Sequence, residues 1–227
     1  MTSNMKENTF QPEQKKSALW TGISLMIMAV AAGLAYGAIH GQLYFPGENA
    51  ATEAAVQSNG NLLIIELGLW LVIVLTDIVV SVKLHVFFRS TVYRLSLVAA
   101  ILRLIYSSIL AAAVFFLVRS LNPAEAYENF GRFEYIWSLG LIIFGVHLAL
   151  LALLAFKSGF VPPFLSVLLI VAGPAYSVIH LLNMGGMKFQ SMAALLEKIF
   201  SAPMALAEIL LALWLIRIAF SGRKASS

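Results

Sequence analysis

The chain has 227 residues, of which 60% are hydrophobic and only 11% charged, and its mean hydropathy is +0.88. Soluble domains carry about a quarter charged residues, so this composition excludes an ordinary soluble domain and points to the membrane class. With no cysteine there is neither a disulfide frame nor a thiolate metal site, and the formal charge of +4 is spread over loop ends, a topology signal rather than a nucleic-acid patch.

Residues 1–17 are polar, with Gln11, Pro12 and Gln14 among them, and read as a disordered cytoplasmic tail. Six apolar stretches follow, at roughly 18–43, 62–87, 95–118, 135–156, 163–183 and 204–220. Each is long enough to cross a bilayer, and a lipid-exposed segment must satisfy its own backbone as a helix. The expected fold is therefore all-α, a bundle of six transmembrane helices over 18–220, with a cytoplasmic C-terminal tail at 221–227. The first apolar run exceeds the ~7–15 residues of a signal-peptide core, so it reads as an uncleaved span. It carries Ala29, Gly33, Gly37 and Gly41 at a spacing of four. Small residues so spaced let two helices approach closely, either inside one subunit or across a homodimer.

The segment 45–60 is rich in Gly, Asn, Ala and Glu and reads as an irregular outer loop. Asn122-Pro123 is a helix-start signal. Between the fifth and sixth spans, Met192, Leu195, Leu196, Ile199 and Phe200 follow the i, i+3, i+4, i+7, i+8 rule. This predicts a short amphipathic helix flat at the outer interface, ended by Gly185-Gly186 and Pro203, as a surface connector or a lid.

Ionisable groups sit well inside the apolar spans: Glu66, Asp77, Arg103, His147, His180 and Glu208. Lipid offers no water to solvate a charge, so each must face protein, a cavity or a partner. A rise of ~1.5 Å per residue puts Asp77, Arg103 and His147 about 12–15 Å from the inner end of their spans, in one layer. The same count puts His40, Glu66, His180 and Glu208 about 6 Å below the outer surface, with Tyr176 between the layers. Residues 11 apart on a helix differ by only about 20°, so Glu66 and Asp77 share a face, which Ser81 continues. Ser96, Arg103, Tyr106 and Ser107 share another, and Ser166, Gly173, Tyr176, Ser177 and His180 a third. Matching stripes predict an internal polar seam. Asp77 and Arg103 are its natural ion pair, since pairing offsets the ~2.5–3.5 kcal/mol that each alone costs at helix centre. Glu66, His180 and Glu208 are expected to converge on one outer cavity. The spacing contains no HExxH or His-pair motif, so no metal or cofactor is expected there.

Lys and Arg set the orientation. Lys6, Lys15 and Lys16 precede the first span, Arg89 and Arg94 follow the second, Lys157 follows the fourth, and Arg217, Arg223 and Lys224 close the chain. The opposite loops hold Arg119, Arg132, Lys188 and Lys198 mixed with Glu48, Glu53, Glu125, Glu128, Glu134 and Glu197. The positive-inside rule puts both termini in the cytoplasm of a cell with this protein in its inner (plasma) membrane.

Several runs resemble the bacterial membrane family catalogued as domain of unknown function (DUF) 4386. Asp77-Ile78-Val79-Val80, Tyr93-Arg94-Leu95-Ser96-Leu97 and Arg103-Leu104-Ile105-Tyr106 look like its middle section. Ile136-Trp137-Ser138-Leu139-Gly140-Leu141 with Phe144-Gly145-Val146-His147-Leu148 resembles its fourth span. Ser158-Gly159-Phe160-Val161-Pro162 and Ala172-Gly173-Pro174-Ala175-Tyr176 resemble its fifth, and Glu208 with Leu213-Trp214-Leu215-Ile216 its last. The resemblance covers roughly 17–220 and implies six helices, with Asp77, Arg103, Tyr106, His147, Tyr176 and Glu208 as family-pattern positions. It brings no activity with it. The chain departs from the family pattern at Pro162-Pro163, where Pro-Arg is frequent, and at His180, where an acidic residue is common.

Three functions fit these residues. The first is a bundle whose polar site binds or transports a small molecule, a lipid or an ion. The second is an intramembrane enzyme using Glu66, His180 and Glu208 with metal or water. The third is a non-catalytic membrane partner or assembly factor whose charges are purely structural and set helix register.

Overall fold

The computed structural model describes residues 10–221. Among them are seven helices, six of them long and apolar enough to cross a membrane. They are α1 (Pro12–Leu43), α2 (Asn49–Ser58), α3 (Gly60–Phe88), α4 (Tyr93–Arg119), α5 (Ala126–Ser158), α6 (Pro163–Met184) and α7 (Met187–Phe220). The long helices alternate in direction and pack each on the next in sequence, and α7 closes the ring against α1. Short connections force this order, because consecutive antiparallel helices become neighbours. One end of the ring holds Pro12, Phe220 and the turns after α3 and α5, and is called the terminal end here. The opposite, distal end holds α2.

Two close backbone approaches hold the ring together. A Cβ on Gly173 would lie 2.7 Å from the Gly145 carbonyl oxygen and 2.8 Å from the Ala149 nitrogen, so α5 and α6 touch backbone to backbone. The Ser177 hydroxyl donates across the same contact to the Ile142 carbonyl at 2.9 Å. A Cβ on Gly22 would lie 2.6 Å from Ile216 Cγ1 and 2.7 Å from the Ala212 oxygen, which brings α1 equally close to α7. Small residues are what permit such contacts when lipid supplies no hydrophobic drive between helices.

Four expectations change. The expected tail is already helical from Pro12, while residues 1–9 and 222–227 lie outside the described residues. Proline suits a first helical position, and Gln14 Oε1 accepts the Gln11 N–H at 3.1 Å. The start is then pinned to α3 by Gln14 Nε2 donating to the Phe87 carbonyl at 3.3 Å and by the Arg89–Glu13 ion pair at 2.5 Å. The 45–60 segment is not irregular throughout, because Asn49–Ser58 is a helix. It packs Val56 inward over the start of α5, which its alanines favour. The interfacial helix is not a separate element, since Met187–Phe220 is one continuous helix through Pro203. Neighbouring helices can re-satisfy the carbonyl freed by a proline inside a bundle, and the burial of Ala193, Met204, Ala207 and Leu211 on one side of the helix carries its axis past it. The Gly33, Gly37, Gly41 row is not packed inside this subunit. All three face outward, and a Cβ on any of them would meet nothing within 4 Å.

Aromatic side chains cluster on both sides of the bundle's middle. At the terminal end Phe87, Phe88, Phe160 and Trp214 stack and interlock with centroids 4.9–6.4 Å apart. On the distal side Trp70, Phe133 and Trp137 meet at 4.9–5.6 Å.

Candidate functional site

Midway along the bundle lies a cavity of about 400 Å³. Four of its polar groups come from four helices at matching height. Asp77 stands about three helical turns before Phe88, the last residue of α3, and Arg103 about three turns after Tyr93, the first of α4. Glu208 stands about three turns before Phe220, which ends α7, and Tyr176 a little further in from Pro163, which starts α6. At ~1.5 Å per residue all lie about 15–20 Å from the terminal end, the middle of a bilayer-sized bundle.

Arg103 is the hub. Its Nε and Nη2 both donate to Asp77 Oδ1, at 2.7 and 2.6 Å, and the expected ion pair is thus formed. Nη1 is 3.3 Å from His147 Nε2. His147 Nδ1 lies 2.7 Å from the Ala99 carbonyl oxygen, an acceptor only. Nδ1 must then carry the proton, and the unprotonated Nε2 accepts from the guanidinium. His147 is therefore a neutral, buried prop for Arg103 and adds no charge. The guanidinium also lies 5.1 Å from the centre of the Phe144 ring, a cation–π contact. Ser81 donates to the Ala100 carbonyl at 2.7 Å and ties α3 to α4 beside the pair. Asp77 and Arg103 are essentially inaccessible, yet Asp77 Oδ2 has no hydrogen-bond partner.

Glu208 completes the cluster. Its Oε2 is 4.0 Å from Arg103 Nη2, and its Oε1 accepts from the Tyr176 hydroxyl at 3.5 Å. Sequence depth places Glu208 in the outer layer only if the sixth span begins after Pro203. Since α7 starts at Met187, Glu208 drops to the level of Arg103. Two carboxylates thus face one guanidinium.

The predicted outer triad is not assembled. Glu66 accepts instead from His40 Nδ1 at 2.7 Å and from Trp70 Nε1 at 3.1 Å. His40 Nε2 turns to Glu134 Oε1 at 3.4 Å, and Tyr36 donates to the same oxygen at 3.3 Å. His180 bonds with Ser138 Oγ at 3.2 Å. His180 and Glu208 line the cavity, whereas Glu66 does not. No three His, Asp or Glu groups among the described residues gather as metal ligands. Glu134 had been counted as a loop carboxylate; it sits on α5 because that helix starts at Ala126, well before the apolar run begins near Tyr135. Reading the sequence also missed Trp70, Trp137, Phe144 and Met28 as cavity lining, since apolar residues at helical spacing look like any core.

The chain matches the family described as "Domain of unknown function (DUF4386)" over residues 20–219. It belongs to this family. Every residue of the DUF4386 cluster just described lies inside that match. The chain is also 29% identical to an uncharacterized protein of Archaeoglobus fulgidus (strain ATCC 49558) over 159 residues, 70% of this chain and 84% of the relative. No solved structure matches it. As a DUF4386 member this is a multi-pass membrane helical bundle with a buried polar cluster at its centre.

Proposed function

We propose that this DUF4386 protein binds a small organic cation in the central cavity, for passage across or within the membrane. One observation carries the reading: Asp77 and Glu208 both stand against the single guanidinium of Arg103, Asp77 buried with its Oδ2 unpartnered and Glu208 the accessible carboxylate on the cavity wall. In a low-dielectric interior an excess carboxylate calls for a positive partner, and a ligand can provide it. Phe144, Tyr176, Trp70 and Trp137 surround the same space, and aromatic faces favour cations. Apolar walls with a few convergent polar groups are the usual make-up of a ligand pocket.

The test is thermal unfolding of detergent-purified protein with organic cations and with organic anions of equal size. Cations should stabilise with the logarithmic concentration dependence of specific binding, by about 2.7 kcal/mol at a hundredfold excess over Kd, and Glu208→Gln should remove the effect. Equal stabilisation by the anions would sink the reading.

The reading includes an orientation with the terminal end in the cytoplasm of a plasma membrane. The surplus of Lys and Arg at that end supports it. Single cysteines at Ser90 and Gln190 check it with an impermeant thiol reagent on intact cells. Labelling at position 90 but not at 190 would reverse the orientation.

A further inference from the structure

The cavity is flanked by aromatic clusters along the bundle axis and is open on one side. The interlocked rings of Phe87, Phe88, Phe160 and Trp214 stand toward the terminal end, and Trp70, Phe133 and Trp137 toward the distal end. The exposed lining residues are Gly33, Tyr36, Glu197, Ser201 and Ala205. All five belong to α1 or α7, the pair that closes the ring. These two helices touch at Gly22, where a Cβ would meet Ile216 at 2.6 Å, and have parted by Gly33, where a Cβ would meet nothing within 4 Å. Each changes its backbone on the distal side of that contact. Helix α1 widens to a π-helical turn at Ala35–His40, a feature found disproportionately at functional sites. Helix α7 passes through Pro203, which removes one backbone donor.

The cleft opens onto lipid. Val30 and Leu34 on one lip are 60% and 48% exposed, and Ile199 and Leu206 on the other 54% and 47%. In a membrane span such side chains face acyl chains. Gly33 and Ser201 stand about 30 Å from the terminal end at ~1.5 Å per residue, and so at the edge of one leaflet of a ~30 Å hydrocarbon layer. Glu197 puts a carboxylate at that mouth.

We infer that the cavity is entered sideways from the bilayer through the cleft between α1 and α7, and that its ligand is a single-chain amphiphile with a cationic amine head. The inference rests on the cation-binding reading above. Glu208, the accessible carboxylate at depth, takes the head, and the apolar walls and lipid-facing mouth take the chain. A water-soluble cation without a chain lacks both the route and most of the contact.

The experiment uses the full chain in phosphatidylcholine nanodiscs, with Trp20→Phe and Trp214→Phe so that Trp70 and Trp137, both lining the cavity, are the reporting fluorophores. The probe is dodecyltrimethylammonium brominated at the chain end, whose bromine quenches nearby tryptophan. Quenching should saturate and be reversed by the unbrominated amphiphile, with tetramethylammonium at least tenfold weaker as a competitor. Gly33→Phe with Ala205→Phe narrows the mouth without touching the polar cluster, and should slow the onset of quenching at least tenfold. Gly33→Leu alone is the milder form, should the pair fold poorly. Saturable quenching with unchanged onset in the mouth variants would overturn lateral entry and leave the cation site standing. Equal competition by tetramethylammonium would overturn the amphiphile and leave a site for the head alone. Quenching that never saturates would overturn both this inference and the reading beneath it.

Discussion

The bundle holds two buried polar clusters built from the same chemistry and put to different use. In the distal one His40 lies between Glu66 and Glu134, and its ring is packed by Tyr36, Tyr44, Phe130 and Phe133 at 5.1–5.8 Å. Rings pack around it, and neither His40 nor its two carboxylates line the central cavity. In the central one Arg103 lies between Asp77 and Glu208, and one side of the cluster faces a cavity. Trp70 is the partition: its indole N–H donates to Glu66 while its ring lines the cavity. A charge in a membrane protein can thus be structural or available. What separates the cases is whether aromatic bulk closes over it, not the charge itself.

The sharpest way to break this comparison is to strand Arg103. Asp77→Ala leaves a buried guanidinium without its main partner and should cost about 3–5 kcal/mol. Replacing both Asp77 and Arg103 by leucine should cost less than the sum of the single changes. Unfolding in mixed micelles measures it, and a strictly additive double variant would mean that the pair does not stabilise the fold.

The distal cluster should respond more mildly and only in stability. Glu66→Gln keeps the shape but weakens the charge-assisted bonds to His40 and Trp70, so about 1–3 kcal/mol is expected. Cation binding should be unchanged. A large loss of binding would show that Trp70 does not insulate the two clusters.

The smallest stability effect belongs to Glu208→Gln. Its side chain is 17% exposed and 4.0 Å from Arg103, and loss of so loose an ion pair should cost under about 1 kcal/mol. Its effect on cation binding should nevertheless exceed that of Glu66→Gln. If the two variants bind cations equally well, the distinction between a filled and an open cluster loses its functional meaning.

Much of this was legible in the residues. Six spans follow from hydropathy because the bilayer imposes one length on every crossing element. The Asp77–Arg103 pair follows from counting, since adjacent antiparallel helices put equal depths side by side. The counting failed where a helix end was misjudged. Pro203 reads as a terminator in water, but α7 runs through it, and so Glu208 was assigned to the wrong layer. The partner of Glu66 was misjudged for another reason. Depth restricts a side chain to a layer, and only the angular order of helices around the ring says which neighbour in that layer it meets.

Sequence alone determined the class, the number of spans, the buried ionisable groups and the family, because each depends on local composition or on motifs along one helix. The tertiary structure decided the rest: that Glu208 joins Arg103, that His40 takes Glu66, that aromatic rings stand at both ends of the cavity, and that α1 and α7 part at Gly33. These depend on closing six helices into a ring. Where backbones touch is set by Gly22, Gly145 and Gly173, and where they separate is set by bulk contributed from several helices at once, which no single stretch of sequence encodes.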